Sequence, residues 1–423
     1  MISYTQQDVE RLRDLGRKVR EIAELPIQQE RIALWRNVND LHMTKPVLYH
    51  RDTPPAVLNY NDELTTQIED PFLASVEADL LMRLYNWKHM PLDYVVVDYV
   101  KCQCAITDNG WGDLVQYDSD LTKDRQGQAT IHFQSVINTM EDVEKIKAPV
   151  IEHDEDETRE RWRVLNEIFD GILKVRLFGV CYINVAPWDD ILEWMGMGDA
   201  MMRFYEDPDL MHACAKRYID CCIARFKKYE EMGLLSSNNE YENIMNNHPG
   251  YTSELPPPTE SGIGCKLKDM WGGCSDQIMT SVSPATSREF AFAYERAYAD
   301  IFGKFGYGCC ERLDHKMADL IEAFPNLRMV SVSPYSKLEP ALEALGSKYT
   351  VSFKPNSNYL FQPDFEEAKE LLTKELETAL QLCQKYNSNM VINMKTIITL
   401  RGEPQRLWWW SEMARKMVDK YYN

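Results

Sequence analysis

The chain has 423 residues, 44% of them apolar, and carries 66 acidic against 47 basic side chains for a net charge of −19. That field repels phosphate backbones and excludes non-specific nucleic-acid binding. No apolar run is long enough to span a membrane. The eleven cysteines include the neighbours Cys221/Cys222 and Cys309/Cys310 and the Cys102-Gln103-Cys104 spacing, which suit reduced thiols rather than a disulfide framework. The first residues, Met1 to Asp8, lack the basic start and apolar segment of a signal peptide, so the expected location is cytoplasmic.

Residues 6 to 40 place Val9, Leu12, Leu15, Val19 and Ile22, then Ile32, Leu34, Trp35 and Val38, at helical spacing, which predicts two helices. Residues 45 to 71 are rich in proline, aspartate and asparagine and read as a long rim loop, followed by a helix from Leu73 to Trp87. Strands and helices then alternate. Strand candidates are Asp93–Val100, Val175–Val185, Leu234–Asn238, Cys265–Trp271, the Tyr307-Gly308-Cys309-Cys310-Glu311 run, Leu327–Ser333, Tyr349–Lys354 and Asn389–Met394. Residues 101 to 152, with a β-type segment around Thr130 to Phe133, read as an insertion after the first strand. Helices are expected at Glu157–Leu173, Pro208–Glu231, Ser287–Phe302, Asp364–Tyr386 and Arg406–Tyr421. Eight strands, most followed by a helix, predict an α/β fold of the (β/α)8 TIM-barrel type. Residues 1–72 would form an N-terminal helical extension and rim loop, and 73–423 the barrel. A doubly wound open sheet is the competing fold, but no Gly-rich dinucleotide loop or Walker sequence follows any strand.

Active sites of such barrels gather at the C-terminal ends of the strands. Those ends would bring together Tyr99, Trp188 with Asp189, Asn238, Trp271, Cys309 to Glu311, Ser333, Lys354 with Asn356, and Lys395 with Thr396. The expected opening is an aromatic cavity with few charges, suited to a flat ligand; the competing reading makes Trp188 and Trp271 rim packing. Strand alternation would send Cys309 and Glu311 to one side and Cys310 to the other. That facing pair could be soft and hard ligands on Zn²⁺, with His315 or Asp314 completing the set, or the cysteines could simply fill space beside a glycine. A charge at a barrel strand end rarely serves packing, which makes Glu311 the candidate proton donor or substrate anchor. His132, His212 and His248 stand alone, Cys221-Cys222 sits in a helical pattern, and Trp408 to Trp410 suit the packing of the last helix.

Several of these pieces recur together in one family. They are Trp188-Asp189 with Trp194-Met195-Gly196, Lys268-Asp269-Met270-Trp271-Gly272, and Ser281-Val282-Ser283-Pro284. With them come the Tyr307-to-Glu311 run, Asn326-Leu327-Arg328 with Ser331-Val332-Ser333-Pro334, and Lys354-Pro355-Asn356. From about Leu73 onward the chain resembles the uroporphyrinogen decarboxylase-like superfamily, in its corrinoid-dependent methyltransferase branch, whose members are (β/α)8 barrels. Two departures narrow the resemblance. Residues 45–51 lack the arginine-rich motif with which the decarboxylases grip porphyrinogen carboxylates. Tyr307 and Met394 stand where methyltransferases acting on coenzyme M carry zinc-binding histidine and cysteine. What remains is similar to the substrate-side methyltransferases of anaerobic O-demethylases, which pass methyl from veratrol-, guaiacol- or vanillate-type ethers to cob(I)alamin on a separate corrinoid protein.

That resemblance implies a cobalamin carried by a partner docking at the C-terminal face, a small aromatic methyl ether as donor, zinc as an optional Lewis acid, and room for a homodimer. A phenoxide leaving group, with a parent pKa of about 10, gains from protonation. Glu311, Asp314, His315 or Tyr307 could supply the proton, with Trp188, Asp189, Asn238, Trp271, Ser333, Lys354 and Asn356 around the ring. A methylated amine donor, a lyase acting on a carboxylated ring, and a non-catalytic corrinoid-protein binder are the alternatives; an arginine cluster at the mouth would favour the lyase.

Overall fold

The computed structural model describes residues 2–116, 133–245 and 248–422. In chain order the strands are β1 (Val47–His50), β2 (Tyr99–Gln103), β3 (Ala105–Asp108), β4 (Ile151–Asp154), β5 (Lys174–Phe178), β6 (Asn184–Val185), β7 (Asn243–Ile244), β8 (His248–Pro249), β9 (Trp271–Cys274), β10 (Lys304–Tyr307), β11 (Leu327–Val332), β12 (Thr350–Phe353) and β13 (Asn389–Met394). A seven-stranded sheet runs in the order β1-β13-β12-β11-β10-β9-β6, and all its pairings are parallel. β2 and β5 form a separate parallel pair, and a single parallel bridge joins Val180 to Leu235. The architecture is mixed α/β, with helices between successive parallel strands.

The later elements lie where hydrophobic patterning puts them. β11, β12 and β13 are buried at every position but Arg328, with Ser331, Thr350, Ser352, Asn389 and Asn393 among their apolar side chains, and Pro208–Glu231, Phe365–Tyr386 and Gln405–Tyr422 are long amphipathic helices. The last buries Trp410, while Trp408 stacks on His89 with ring centroids 3.9 Å apart.

The earlier strands differ from expectation. Val47–His50, read as rim loop, is an edge strand of the main sheet, because Val47 and Leu48 are buried and pair with Val391 and Ile392. Residues 93 to 98 form no strand; Asp93 instead accepts from Leu48 N, and the ladder begins at Tyr99. The run 175–185 is broken in two, since Gly179 presses against Leu234 O, where a Cβ would come within 1.9 Å. Residues 234–238 contribute one bridge rather than a strand. The fourth strand starts at Trp271, because Leu267–Asp269 is a 3₁₀ turn. Of the insertion, β3 and β4 pair antiparallel at its base, while the segment Thr130 to His132 lies outside the described residues.

Met245, which directly follows β7, packs against the main sheet. Met245 lies on Gly273, where a Cβ would come within 2.6 Å of its own Cβ. Around it gather Ile244, Leu255, Trp271 and Met329 as a separate apolar cluster. The C-terminal end of helix Ile27–Asn39 is tied to the same region: Asn39 Nδ2 donates to Tyr251 O at 2.9 Å, and Arg328 donates to Asn39 O at 2.8 Å.

Candidate active site

Strand β10 ends at Tyr307, not at Glu311. Gly308 turns the chain with φ +92°, a conformation disfavoured for any residue with a Cβ, and a Cβ there would lie 2.4 Å from Leu313. Cys309, Cys310 and Glu311 therefore sit on a bend, and strand alternation does not govern where they point. Glu311 folds back on its own loop: Oε2 accepts from Cys309 N at 2.6 Å and Oε1 from Asp276 N at 3.2 Å. The side chain is buried, 3% exposed, yet belongs to the wall of an opening of about 760 Å³. Gln277, Thr280, Cys310, Arg312, His315 and Tyr335 share that wall. Burial, and after it the negative charge of Cys309, raises the Glu311 carboxyl to about 7.

Two lysines brace the loop. Lys354 reaches the Cys309 carbonyl, which also accepts from Ser331 Oγ at 2.7 Å. Lys395 Nζ is 3.4 Å from Cys309 Sγ, and the two sulfurs are 3.6 Å apart. Cys310 and then the two lysines pull the Cys309 thiol down, and the same pairing pushes Cys310 up. Behind Glu311 lies a second carboxyl pair, Asp276 and Glu295, fully enclosed and raised by burial. Lys316, lowered to about 8 by burial, stands beside all three acids and donates to Met279 O.

The structure thus brings together Glu311, Cys309, His315 and Lys354 of the expected site and adds Asp276 and Lys316. Asp314 pairs with Arg312 at 2.8 Å, and Tyr307 is buried beneath the loop. Trp188 and Trp271 do not line the opening: both are buried, with indole N–H groups donating to Phe290 O and Gly250 O. The rim-packing reading of these rings is the one observed. In place of an aromatic cavity, the opening carries Tyr335 among charged and hydroxyl-bearing residues, while Tyr182, 45% exposed, lies in the field of Lys395 and Cys309. Asn238 is spent on Trp271 and Cys181 backbone, and Asp189 on the N–H groups of Gln277 and Ile278. Ser333 meets Ser336, and Asn356 caps Ser357–Phe361. Asp276 is missed by the sequence reading because the expected fourth strand ends at Trp271, three residues before the observed end at Cys274, which Asp276 closely follows.

Cys309 and Glu311 do not fit a zinc site as placed. Glu311 accepts from two backbone N–H groups, Cys309 Sγ faces a lysine, and no three His, Cys, Asp or Glu side chains converge among the described residues.

A cation cluster that sequence reasoning also missed lies near a cavity of about 60 Å³, whose wall includes Arg51 and Arg83 beside Tyr49 of β1 and residues 94–96. Arg51 donates to Asn243 at 2.9 Å, Arg83 pairs with Asp79 at 2.5 Å, and Lys101 with Glu242 at 2.6 Å. Lys101 also lies over the rings of Phe178 and Tyr241, 4.6 and 4.9 Å from their centroids. The cluster adjoins the opening through the neighbours Arg51–Asp52 and Cys181–Tyr182, with Asp52 3.9 Å from Lys395.

No family model matches the chain, and no curated protein does. Among solved structures it is similar to a methyltransferase from Methanosarcina mazei, with 10% identity, a TM-score of 0.45, and coverage of 93% of this chain and 98% of that one.

Proposed function

We propose that the protein is a methyltransferase of (β/α)8-barrel type that moves a methyl group from a methoxylated aromatic to the corrinoid of a separate protein. One observation carries the reading: a buried carboxyl, Glu311, raised to about 7 on the wall of an opening large enough for one ring. The motif resemblance supports it independently. The partner's cob(I)alamin, when bound, supplies the nucleophile that accepts the methyl group.

The chain's own residues do the rest. Glu311 holds a proton near neutral pH and gives it to the ether oxygen as the aryl–O–CH₃ bond breaks. The N–H groups of Cys309 and Asp276 fix its oxygens and take up the negative charge left behind. Lys316 adds a positive charge in the field of the same acids. Tyr335, Tyr182 and Ile398, 65%, 45% and 62% exposed, give the rim apolar surface on which a partner can seat and exclude water.

The test mixes the protein with a reduced corrinoid protein and a panel of methoxyarenes under strict anaerobiosis, following loss of the Co(I) absorbance and release of the phenol. Ether-dependent change in both supports the proposal; no change with any ether, while the corrinoid protein proves active with another donor, overturns it. The Arg51, Arg83 and Lys101 cluster favours a second reading in which the substrate carries a carboxylate, for methyl transfer or for a lyase. Carboxylated ethers outperforming neutral ones, or CO₂ release without phenol, would select between these.

A further inference from the structure

The cysteines of this chain fall into two classes: nine are buried, while Cys309 and Cys310 are partly exposed. These two are adjacent in sequence, with sulfurs 3.6 Å apart, and Cys310 lines the opening where small reagents enter. Lys395 Nζ lies 3.4 Å from Cys309 Sγ, and Thr396 Oγ1 lies 3.7 Å from Cys310 Sγ. A cation beside a reachable thiol favours the thiolate, the form that attacks disulfides. A second thiol at contact distance is what resolves a mixed disulfide before any external thiol can.

We propose that Cys309 and Cys310 form a redox-modification site that reacts with small-molecule disulfides and closes to a reversible vicinal disulfide. The Cys309 thiolate attacks one sulfur of the reagent, whose S–S bond breaks and releases one small thiol. Cys310 then gives its proton to solvent and attacks Cys309 Sγ, expelling the second small thiol. Two protein thiols are oxidised and one disulfide is reduced to two thiols, so no further oxidant enters. Neighbouring residues have Cα atoms about 3.8 Å apart, shorter than the usual disulfide range of roughly 4.4–6.8 Å. The ring is therefore strained and gives its electrons back readily to excess thiol.

Closing it distorts the peptide that holds Glu311. Cys309 N–H donates to Glu311 Oε2, and Cys309 C=O accepts from Ser331 Oγ and Lys354. Oxidation would loosen this clamp and switch off the acid; that last consequence rests on the methyl-transfer reading, whereas the thiol chemistry does not.

The experiment treats the reduced full-length protein with excess oxidised glutathione, alkylates with iodoacetamide, and reads intact mass and peptide maps. The expected result is loss of two hydrogens with no glutathione retained, both unalkylated sulfurs in the peptide bearing Cys309 and Cys310, and recovery with dithiothreitol. Cys310→Ser should instead keep one glutathione on Cys309. Full alkylation of both thiols after treatment, a stable glutathione adduct on the unsubstituted protein, or a bridge between other cysteines would each overturn the proposal. Because the readout is mass, its failure leaves methyl transfer standing, and a failed methyl-transfer assay leaves it standing.

Discussion

Glu311 carries most of the proposed chemistry, and its environment sets the sign of two measurements. With the acid needed in its protonated form, kcat/KM falls as pH rises through about 7. Glu311→Gln should lower kcat/KM by about 10²–10⁴-fold and abolish that alkaline limb while the ether still binds. The same shift bears on stability. A carboxyl at about 7 in the fold, against an ordinary 4.5, binds more protons folded than unfolded between those values. Its contribution is therefore present at low pH and lost as pH rises from about 4.5 through 7. Thermal unfolding of the native chain and of Glu311→Gln across that window should show the native Tm falling relative to the variant; a difference independent of pH would refute the shift. Glu311 was legible in the sequence as a charge at a strand end. Its partners were not: the N–H groups that hold it belong to bends, whose geometry no periodicity encodes.

The bend after β10 and the ion pairs of the cation cluster make separate demands on their residues. Gly308→Ala places a Cβ against Leu313 at φ +92° and should cost about 1–3 kcal/mol in a denaturant titration, with activity falling further because Glu311 moves with the loop. In the cluster, Lys101 and Glu242 are paired with the carboxylate almost wholly buried. Lys101→Ala alone should destabilise by roughly 3–5 kcal/mol, because it leaves a buried charge unpaired. Lys101→Met with Glu242→Leu should recover most of that loss, and an additive double variant would show that the pair is not coupled. Sequence patterning found β11, β12 and β13 within a residue or so, since each is a buried segment centred on β-branched and other apolar residues. It misplaced the earlier strands for a physical reason. β6 is only two residues long, the run 234–238 makes one bridge, and β1 hides inside a proline-rich segment, so tertiary packing rather than local pattern defines them.

Across the whole molecule, residues before 73 do more than cap the sheet. β1 supplies its edge strand, helix Ile27–Asn39 is bonded to residues 251, 328 and 350, and Trp35 stacks on His248 at 5.5 Å. Removing residues 1–52 should therefore abolish the cooperative thermal transition and the near-ultraviolet circular dichroism, whereas removing 1–3 should change neither. A folded, cooperative 53–423 fragment would show the N-terminal segment to be an appendage. The α/β class was legible from strand–helix alternation; the integration of the N-terminus was not, because its partners lie hundreds of residues away.

The pairing of Val47 with Val391 has a further consequence, for the order of events during synthesis. The ribosome adds about 5–20 residues per second, so β1 emerges some tens of seconds before the strand it pairs with. Through that interval its apolar backbone edge has no native neighbour and is open to other nascent chains. Locking the N-terminus into the sheet thus waits on nearly the last strand made, and a holdase that covers Val47 to His50 should raise the yield of soluble protein.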